Sequence, residues 1–284
     1  MAMLNPDQKQ LQQRIITELG VKARIDPAHE LEQRIKFIKN YLRHSKARSL
    51  VIGISGGIDS LVVGYMAQLA VEQLRQEGVD ATFIALRLPY AEQRDAADAD
   101  AAIRHIQPDR CLELNIQPAT DAVMETLLQA KQGFRSESHQ DFIKGNVKAR
   151  QRMIYCYAVA GAESGLVLGS DQAAEVLMGF FTKYGDGAAD LMPLAGLTKS
   201  QVRELAAQCG VPDALTHKVP TADLESLTPL QPDEDAFGGV TYHDIDAFLT
   251  GQPVSVDAFE SIIEHYTRSA HKRLLPASPL TFSF

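Results

Sequence analysis

The 284-residue chain has only three cysteines, Cys111, Cys156 and Cys209, an odd number, widely spaced and without a CxxC pair. This usage excludes a disulfide framework and gives no zinc-site spacing, and it makes a reducing cytoplasm the expected compartment. Long apolar runs are missing as well: no stretch approaches the roughly 20 residues that a membrane helix needs. Met1 to Leu19 is amphipathic and lacks the apolar core and small-residue cleavage site of a signal peptide. Positive charge is in deficit, 28 Lys and Arg against 36 Asp and Glu, for a net charge of −8 and a pI near 5.5. A phosphate backbone attracts clustered cations, so no nucleic-acid partner is expected, and none in a membrane. One local absence decides how the most informative motif is read: no lysine lies between Lys46 and Lys131.

That motif follows an apolar, β-branched stretch, Ser49-Leu50-Val51-Ile52-Gly53-Ile54, suited to a buried parallel strand. The chain then reads Ser55-Gly56-Gly57-Ile58-Asp59-Ser60, and an apolar-periodic helix runs on through Leu61, Val62, Tyr65, Met66, Leu69 and Leu74. Gly56 and Gly57 are expected to turn the backbone with positive φ and to admit a ligand close to it. The free amides of the loop and the positive end of the helix then face one spot, which suits an anion. A Walker A loop would end in Gly-Lys-Ser/Thr, and the missing lysine rules it out. Asp59 stands there instead, and its carboxylate would repel a phosphate unless a hard cation lay between them, which points to Mg²⁺. The Ser-Gly-Gly-Xaa-Asp-Ser pattern resembles the pyrophosphate-binding loop of the N-type ATP pyrophosphatases, which cut ATP between the α and β phosphates.

Around the motif, helical periodicity predicts helices over about 6–19 and 28–43, then 92–106, 118–131, 139–164, 198–209, 242–249 and 254–269. Strands are expected at 81–88, 110–116 and 165–169. Strands alternating with helices imply an α/β fold, one parallel sheet with helices on both faces, with ligands at the carboxyl ends of the strands. The aperiodic stretch from Thr216 to Pro232 reads either as a mobile lid-like loop or as simple surface disorder. A second compact domain is not signalled.

A second constellation, Gly169-Ser170-Asp171-Gln172-Ala173-Ala174-Glu175, follows the strand at 165–169 and opens a helix. Ser170 is expected near the helix N-terminus and Glu175 about a turn and a half inside. If that strand neighbours the loop strand, Glu175 is aimed at Asp59, and the two carboxylates would share a Mg²⁺ whose shell phosphate oxygens complete. Further along come Gly179-Phe180-Phe181-Thr182-Lys183-Tyr184-Gly185-Asp186-Gly187-Ala188-Ala189-Asp190, Leu197-Thr198-Lys199, Pro220-Thr221-Ala222-Asp223-Leu224 and His271-Lys272-Arg273. With Arg87-Leu88-Pro89-Tyr90 and Phe142-Ile143-Lys144-Gly145-Asn146, this ordered set resembles the ammonia-dependent NAD⁺ synthetases from about Leu31 to Arg273.

The resemblance implies an adenine nucleotide α-hydrolase-like fold, a homodimer, and a reaction in two halves. The carboxylate of deamido-NAD⁺ attacks the ATP α-phosphate and releases pyrophosphate; ammonia then displaces AMP. ATP would be held by Gly53 to Ser60, Ser170, Lys199 and Thr221, and Mg²⁺ by Asp59 and Glu175. Asp59, Glu175 and Lys199 would do the chemical work by neutralising pyrophosphate. Deamido-NAD⁺ would be held by Lys144, Lys183, Asp190, His271 and Lys272. Lys144 and Ser170 occupy positions where Arg and Thr are also expected, and Ala188-Ala189 replaces a more glycine-rich turn. Glutamine-using members carry an additional amidohydrolase domain, for which the roughly 50 residues before Val51 are too few. A single domain over 1–284 and free ammonia as nitrogen donor are therefore expected. Two rivals stay open: a ligase adenylating another carboxylate, and a nucleotide-binding module without catalysis.

Overall fold

The computed structural model describes residues 4–91, 96–221 and 224–279. Two helices, α1 (Pro6–Leu19) and α2 (Pro27–Ser45), precede β1 (Ser49–Gly53) and α3 (Ile58–Gln76). Next come β2 (Thr82–Arg87), α4 (Ala96–Ile106), β3 (Arg110–Glu113), α5 (Gln117–Gln129), α6 (Glu137–Ala162), β4 (Gly165–Val167) and α7 (Ala173–Met178). The C-terminal part holds α8 (Lys199–Gln208), α9 (Asp213–Thr216), a 3₁₀ turn (Asp233–Phe237), α10 (Tyr242–Leu249), α11 (Val256–Arg268) and α12 (Ala270–Arg273). The expected helix over 92–106 is seen as α4, its first four positions lying outside the described residues.

The sheet is parallel throughout, in the order β3-β2-β1-β4. Strand alternation sorts the side chains by face. Leu50, Ile52, Phe83 and Ala85 pack into one core with α2, α3 and α8, while Val51, Ile84, Leu86 and Val167 join Cys156 and Ala160 of α6 on the other face. Burial on both faces is why these strands read as continuous apolar runs. A third core gathers α1, α7, α10 and α11 around Phe237 and Phe248.

The expected strand 165–169 is shorter than foreseen. It pairs with β1 only as far as Val51↔Val167, and Leu168 turns instead to bridge Leu191. The aperiodic stretch contains no helix or strand between His217 and Pro232 among the described residues, as expected, apart from a single bridge, Thr221↔Pro232. Here it is strapped down. Lys148 Nζ donates to the Leu224 carbonyl (2.7 Å) and to Ser226 Oγ (3.1 Å), the Leu227 amide donates to Asp141 (2.7 Å), and Lys218 pairs with Asp98 (2.7 Å).

Asp109, at the entrance to β3, ties α3 to β2. Its carboxylate accepts from both terminal nitrogens of Arg75 (2.7 and 3.1 Å), from the Phe83 amide (2.9 Å) and from Gln68 (3.1 Å). Burial works to raise this carboxyl, but the hydrogen bonds from Arg75, Phe83 and Gln68 outweigh it and hold the group below the ordinary carboxylate range. A depressed folded-state pKa stabilises the fold above the unfolded value near 3.9, and the contribution is lost as pH falls through the folded value. Asp109→Asn is therefore expected to cost about 1 kcal/mol or more at pH 7, with the gap to wild type narrowing only as pH falls below ~4, toward pH ~2. Urea denaturation at the two pH values checks both the loss and its sign.

Candidate functional site: a phosphate loop beside a carboxylate cluster

The chain leaves β1 toward β2 on one side and returns to β1 through β4 on the other, so the strand order reverses between β1 and β4. Ligands in open α/β sheets bind at such a switch point, at the carboxyl ends of the strands. The loop from Ile54 to Gly57 lies there, and two serines fasten it. Ser60 Oγ accepts from the Ser55 amide (3.3 Å) and donates to the Gly57 carbonyl (3.2 Å), while Ser55 Oγ accepts from the Gly57 amide (3.2 Å). Helix α3 begins at Ile58, which puts Asp59 in its first turn. Its N-cap, Gly57, brings no side chain to satisfy the first amides, leaving them and the helix dipole for an anion.

Only Gly56 has positive φ, at 91°; Gly57 sits at φ −81°, ψ 154°, ordinary extended backbone, which corrects the expectation for the pair. Gly57 closes the turn because it is the non-helical cap.

Across the switch point, α7 is capped by Gln172 rather than Ser170. The Gln172 side chain accepts from Ala174 (2.6 Å), and the Glu175 carboxylate accepts in return from the Gln172 amide (3.2 Å). Glu175 thus lies in the first turn, not a turn and a half inside. Helix α8 opens with Lys199, whose side chain is 2% exposed and reaches Asp59, Nζ to Oδ2 at 2.5 Å. Asp59 Oδ1 is buried without a hydrogen-bond partner.

These groups line a cleft of about 310 Å³, within the usual size of small-molecule sites. Gly53, Ile54, Ser55, Gly57, Ile58, Asp59, Ser60, Ser170, Glu175, Lys199 and Thr221, all singled out in the sequence, line it. Gly56 instead backs onto α4. The cleft also holds residues to which sequence reasoning gave no role: Asp171, Asp186, Asp233, Arg152 and Lys218. Asp171 and Asp186 stood inside the quoted motifs, and Ala149, Arg152, Met153 and Cys156 fall at helical spacing on one face of α6, which was the available signal.

Carboxylates outnumber nearby cations, and the titration behaviour follows. Burial, and then the charge on Asp59, push Glu175 well above the ordinary carboxylate range against the pull of Lys199. Burial, then Asp186 and Asp59, do the same to Asp171. For Lys199, burial opposes the charge, but Asp59 and Glu175 raise its pKa and keep the ammonium. The Cys156 thiol, by contrast, is pushed up to about 12 by burial and is no nucleophile at neutral pH.

The other expected set does not enter this cleft. Lys144 pairs with Asp121 (3.0 Å) and lies 4.8 Å from the Tyr90 ring centre. Lys183 Nζ donates to the His271 carbonyl (2.7 Å), and Lys272 Nζ to those of Gly179 and Phe181 (2.8 Å each). Asp190 accepts from the Val167 amide (2.7 Å). Lys183, His271 and Lys272 come together through these bonds, in which Lys144 and Asp190 take no part.

Fold and cleft define a nucleotide-binding α/β protein of the adenine nucleotide α-hydrolase type, with a phosphate loop in place of a Walker motif. A family model described as NAD synthase matches residues 30–276, and the chain belongs to that family. A Paraburkholderia phytofirmans protein named NH(3)-dependent NAD(+) synthetase is 52% identical over 265 residues, 93% of this chain and 92% of its own. The crystal structure of NAD+ synthetase from Burkholderia pseudomallei is similar at TM-score 0.83 and 47% identity, covering 97% of this chain and 100% of that one. The structure of NMN synthetase from Francisella tularensis is similar at TM-score 0.77 and 38% identity, covering 90% and 99%. Among the described residues no helix is long and apolar enough to cross a membrane.

Proposed function

We propose that the protein is a ligase that amidates deamido-NAD⁺ with ammonia at the expense of ATP, giving NAD⁺, AMP and pyrophosphate through an adenylated intermediate. The observation that carries this reading is the buried Lys199–Asp59 pair at the mouth of the phosphate loop; similarity to proteins named NH(3)-dependent NAD(+) synthetase supports it. In the first half, an oxygen of the nicotinate carboxylate bonds to the α-phosphorus and the bond from that phosphorus to the bridging oxygen breaks. The loop amides and Lys199 stabilise the charge gathering on pyrophosphate. In the second half, nitrogen bonds to the activated carbonyl carbon, AMP leaves, and one proton is released from the nitrogen.

The residues present fit a Mg²⁺ ion. Among the described residues no group of three or more His, Cys, Asp or Glu is arranged to hold a metal, but Mg²⁺ usually takes one or two carboxylates and completes its shell with phosphate and water. Asp59, with its unpartnered Oδ1, and Glu175 would hold it, and it would neutralise phosphate oxygens. Ser170 and Thr221 would contact ATP.

Lys144, Lys183, Asp190, His271 and Lys272 would bind deamido-NAD⁺ outside the ATP cleft, at a site completed by a second copy of the chain. The exposed Phe142 and Ile154 of α6 and Val123 and Leu128 of α5 support a homodimer through these helices. Light scattering is expected to return twice the 31.1 kDa of one chain; a monomer at micromolar concentration removes the dimer. Lys183→Ala is expected to raise KM for deamido-NAD⁺ about tenfold or more with KM for ATP nearly unchanged. The reverse order in steady-state kinetics would put Lys183 on the other substrate.

The 38% identical NMN synthetase favours one second reading, in which the acceptor is the nicotinate mononucleotide. A product assay with ATP, Mg²⁺, ammonium and either acceptor decides. AMP and NAD⁺ in equal amounts, dependent on deamido-NAD⁺, support the proposal, whereas amidation of the mononucleotide alone replaces it.

A further inference from the structure

We propose that Asp246 is a positioning residue for Lys199. It lies on α10, outside every motif discussed above, is 9% exposed, and spends both carboxylate oxygens on the start of α8. Oδ1 accepts from the Lys199 amide at 3.1 Å and Oδ2 from the Ser200 amide at 2.8 Å. Helix α8 already has its own cap, since Thr198 Oγ1 accepts from the Gln201 amide (3.2 Å) and Thr198 O from the Val202 amide (3.0 Å). A local cap satisfies one amide; Asp246 supplies partners for the two that Thr198 leaves, and does so from a different helix.

The consequence concerns the ammonium rather than helix α8 itself. A lysine has four side-chain torsions, so its buried nitrogen is only as well placed as the backbone it hangs from. Tyr242, one turn before Asp246 on α10, holds the other end. Its ring centre lies 5.3 Å from Lys199 Nζ, and its hydroxyl donates to Asp233 (3.0 Å), which lines the same cleft. Helix α10 thus grips Lys199 at its amide and over its ammonium, and hands it to Asp59 at 2.5 Å. The proposal rests on Lys199 being the cation that stabilises pyrophosphate.

The test is a double-mutant cycle on kcat for AMP release. Asp246→Ala is expected to lower kcat between about tenfold and a hundredfold, the cost of a misplaced group, with KM for ATP within about twofold. Asp246→Asn, nearly isosteric and keeping one acceptor, is expected to lose less, and serves if the alanine variant does not fold. In a Lys199→Ala background neither substitution is expected to lower kcat further, because Asp246 acts through Lys199. A cap of purely structural value behaves otherwise: Ser255→Ala, which strips the N-cap of α11, is expected to lower Tm and leave kcat alone. Wild-type kcat in both Asp246 variants, or the same loss in the Lys199→Ala background, overturns the proposal while the role of Lys199 stands. Full activity in Lys199→Ala itself overturns both.

Discussion

Asp59→Asn is expected to lower kcat for NAD⁺ formation by about a thousandfold, the upper end for removing one group that stabilises developing charge, while the protein stays folded with Tm within a few degrees of wild type. The two halves of this expectation have separate causes. Asparagine keeps the size of the side chain but cannot carry the charge that a divalent cation requires, so pyrophosphate would leave with only the loop amides and Lys199 to offset its charge. Breaking a buried ion pair ordinarily costs several kcal/mol because it strands a charge. Here Lys199 would not be stranded, since Glu175 also raises its pKa, and Asp59 is itself a cause of the raised pKa of Glu175 and Asp171. Taking one negative charge out of this crowd relieves repulsion as well as removing an attraction, a pattern expected where a site is built for function at the expense of stability. Product assays alongside thermal denaturation separate the halves. Normal turnover rejects Asp59 as a metal ligand, and a collapse of Tm makes it chiefly the counter-ion of Lys199.

Much of this arrangement was legible in the sequence, and what was not has definite physical reasons. Strands β1 and β2 announce themselves because both faces are buried, and the loop because a turn with positive φ beside an anion calls for glycine, as at Gly56. The order of strands was not readable, and the condition under which Glu175 is aimed toward Asp59, that β4 adjoins β1, is met by the pairing Ser49↔Gly165. The depth of Glu175 in α7 was not readable because glutamine is not among the preferred N-caps; only the bond from the Gln172 amide to Glu175 marks where the helix begins. The strap over α6 was seen as aperiodic but not as fastened, since its anchors, Asp141 and Lys148, lie 76 to 86 residues away in the chain. Asp171, Asp186 and Arg152 show how a motif reports the presence of charged side chains without saying which of them face the same space.

Gly56→Ala is the second large effect, and it acts through backbone rather than charge. The residue sits at φ 91°, outside the region that L side chains readily adopt, and a Cβ there would lie 2.8 Å from the Ala99 amide nitrogen and 3.1 Å from the Asp98 carbonyl carbon. Both are main-chain atoms of α4, so no rotamer change relieves the clash. The left-handed conformation alone costs about 1–3 kcal/mol, and the contact adds to it. Either α4 moves away, loosening its packing on α3, or the loop moves toward the cleft and its amides leave the place a phosphate would occupy. Tm is expected to fall by several degrees and kcat/KM for ATP by about a hundredfold, the penalty of a displacement near 1 Å. Gly57→Ala provides the contrast: its φ is −81° and the nearest atom to the added Cβ is the Ser55 hydroxyl at 3.3 Å, a side chain that can rotate. Its Tm is expected to stay closer to wild type. Equal losses of Tm in the two variants would mean that the loop tolerates or rejects any side chain alike, and that the left-handed turn at Gly56 is not what shapes the phosphate site.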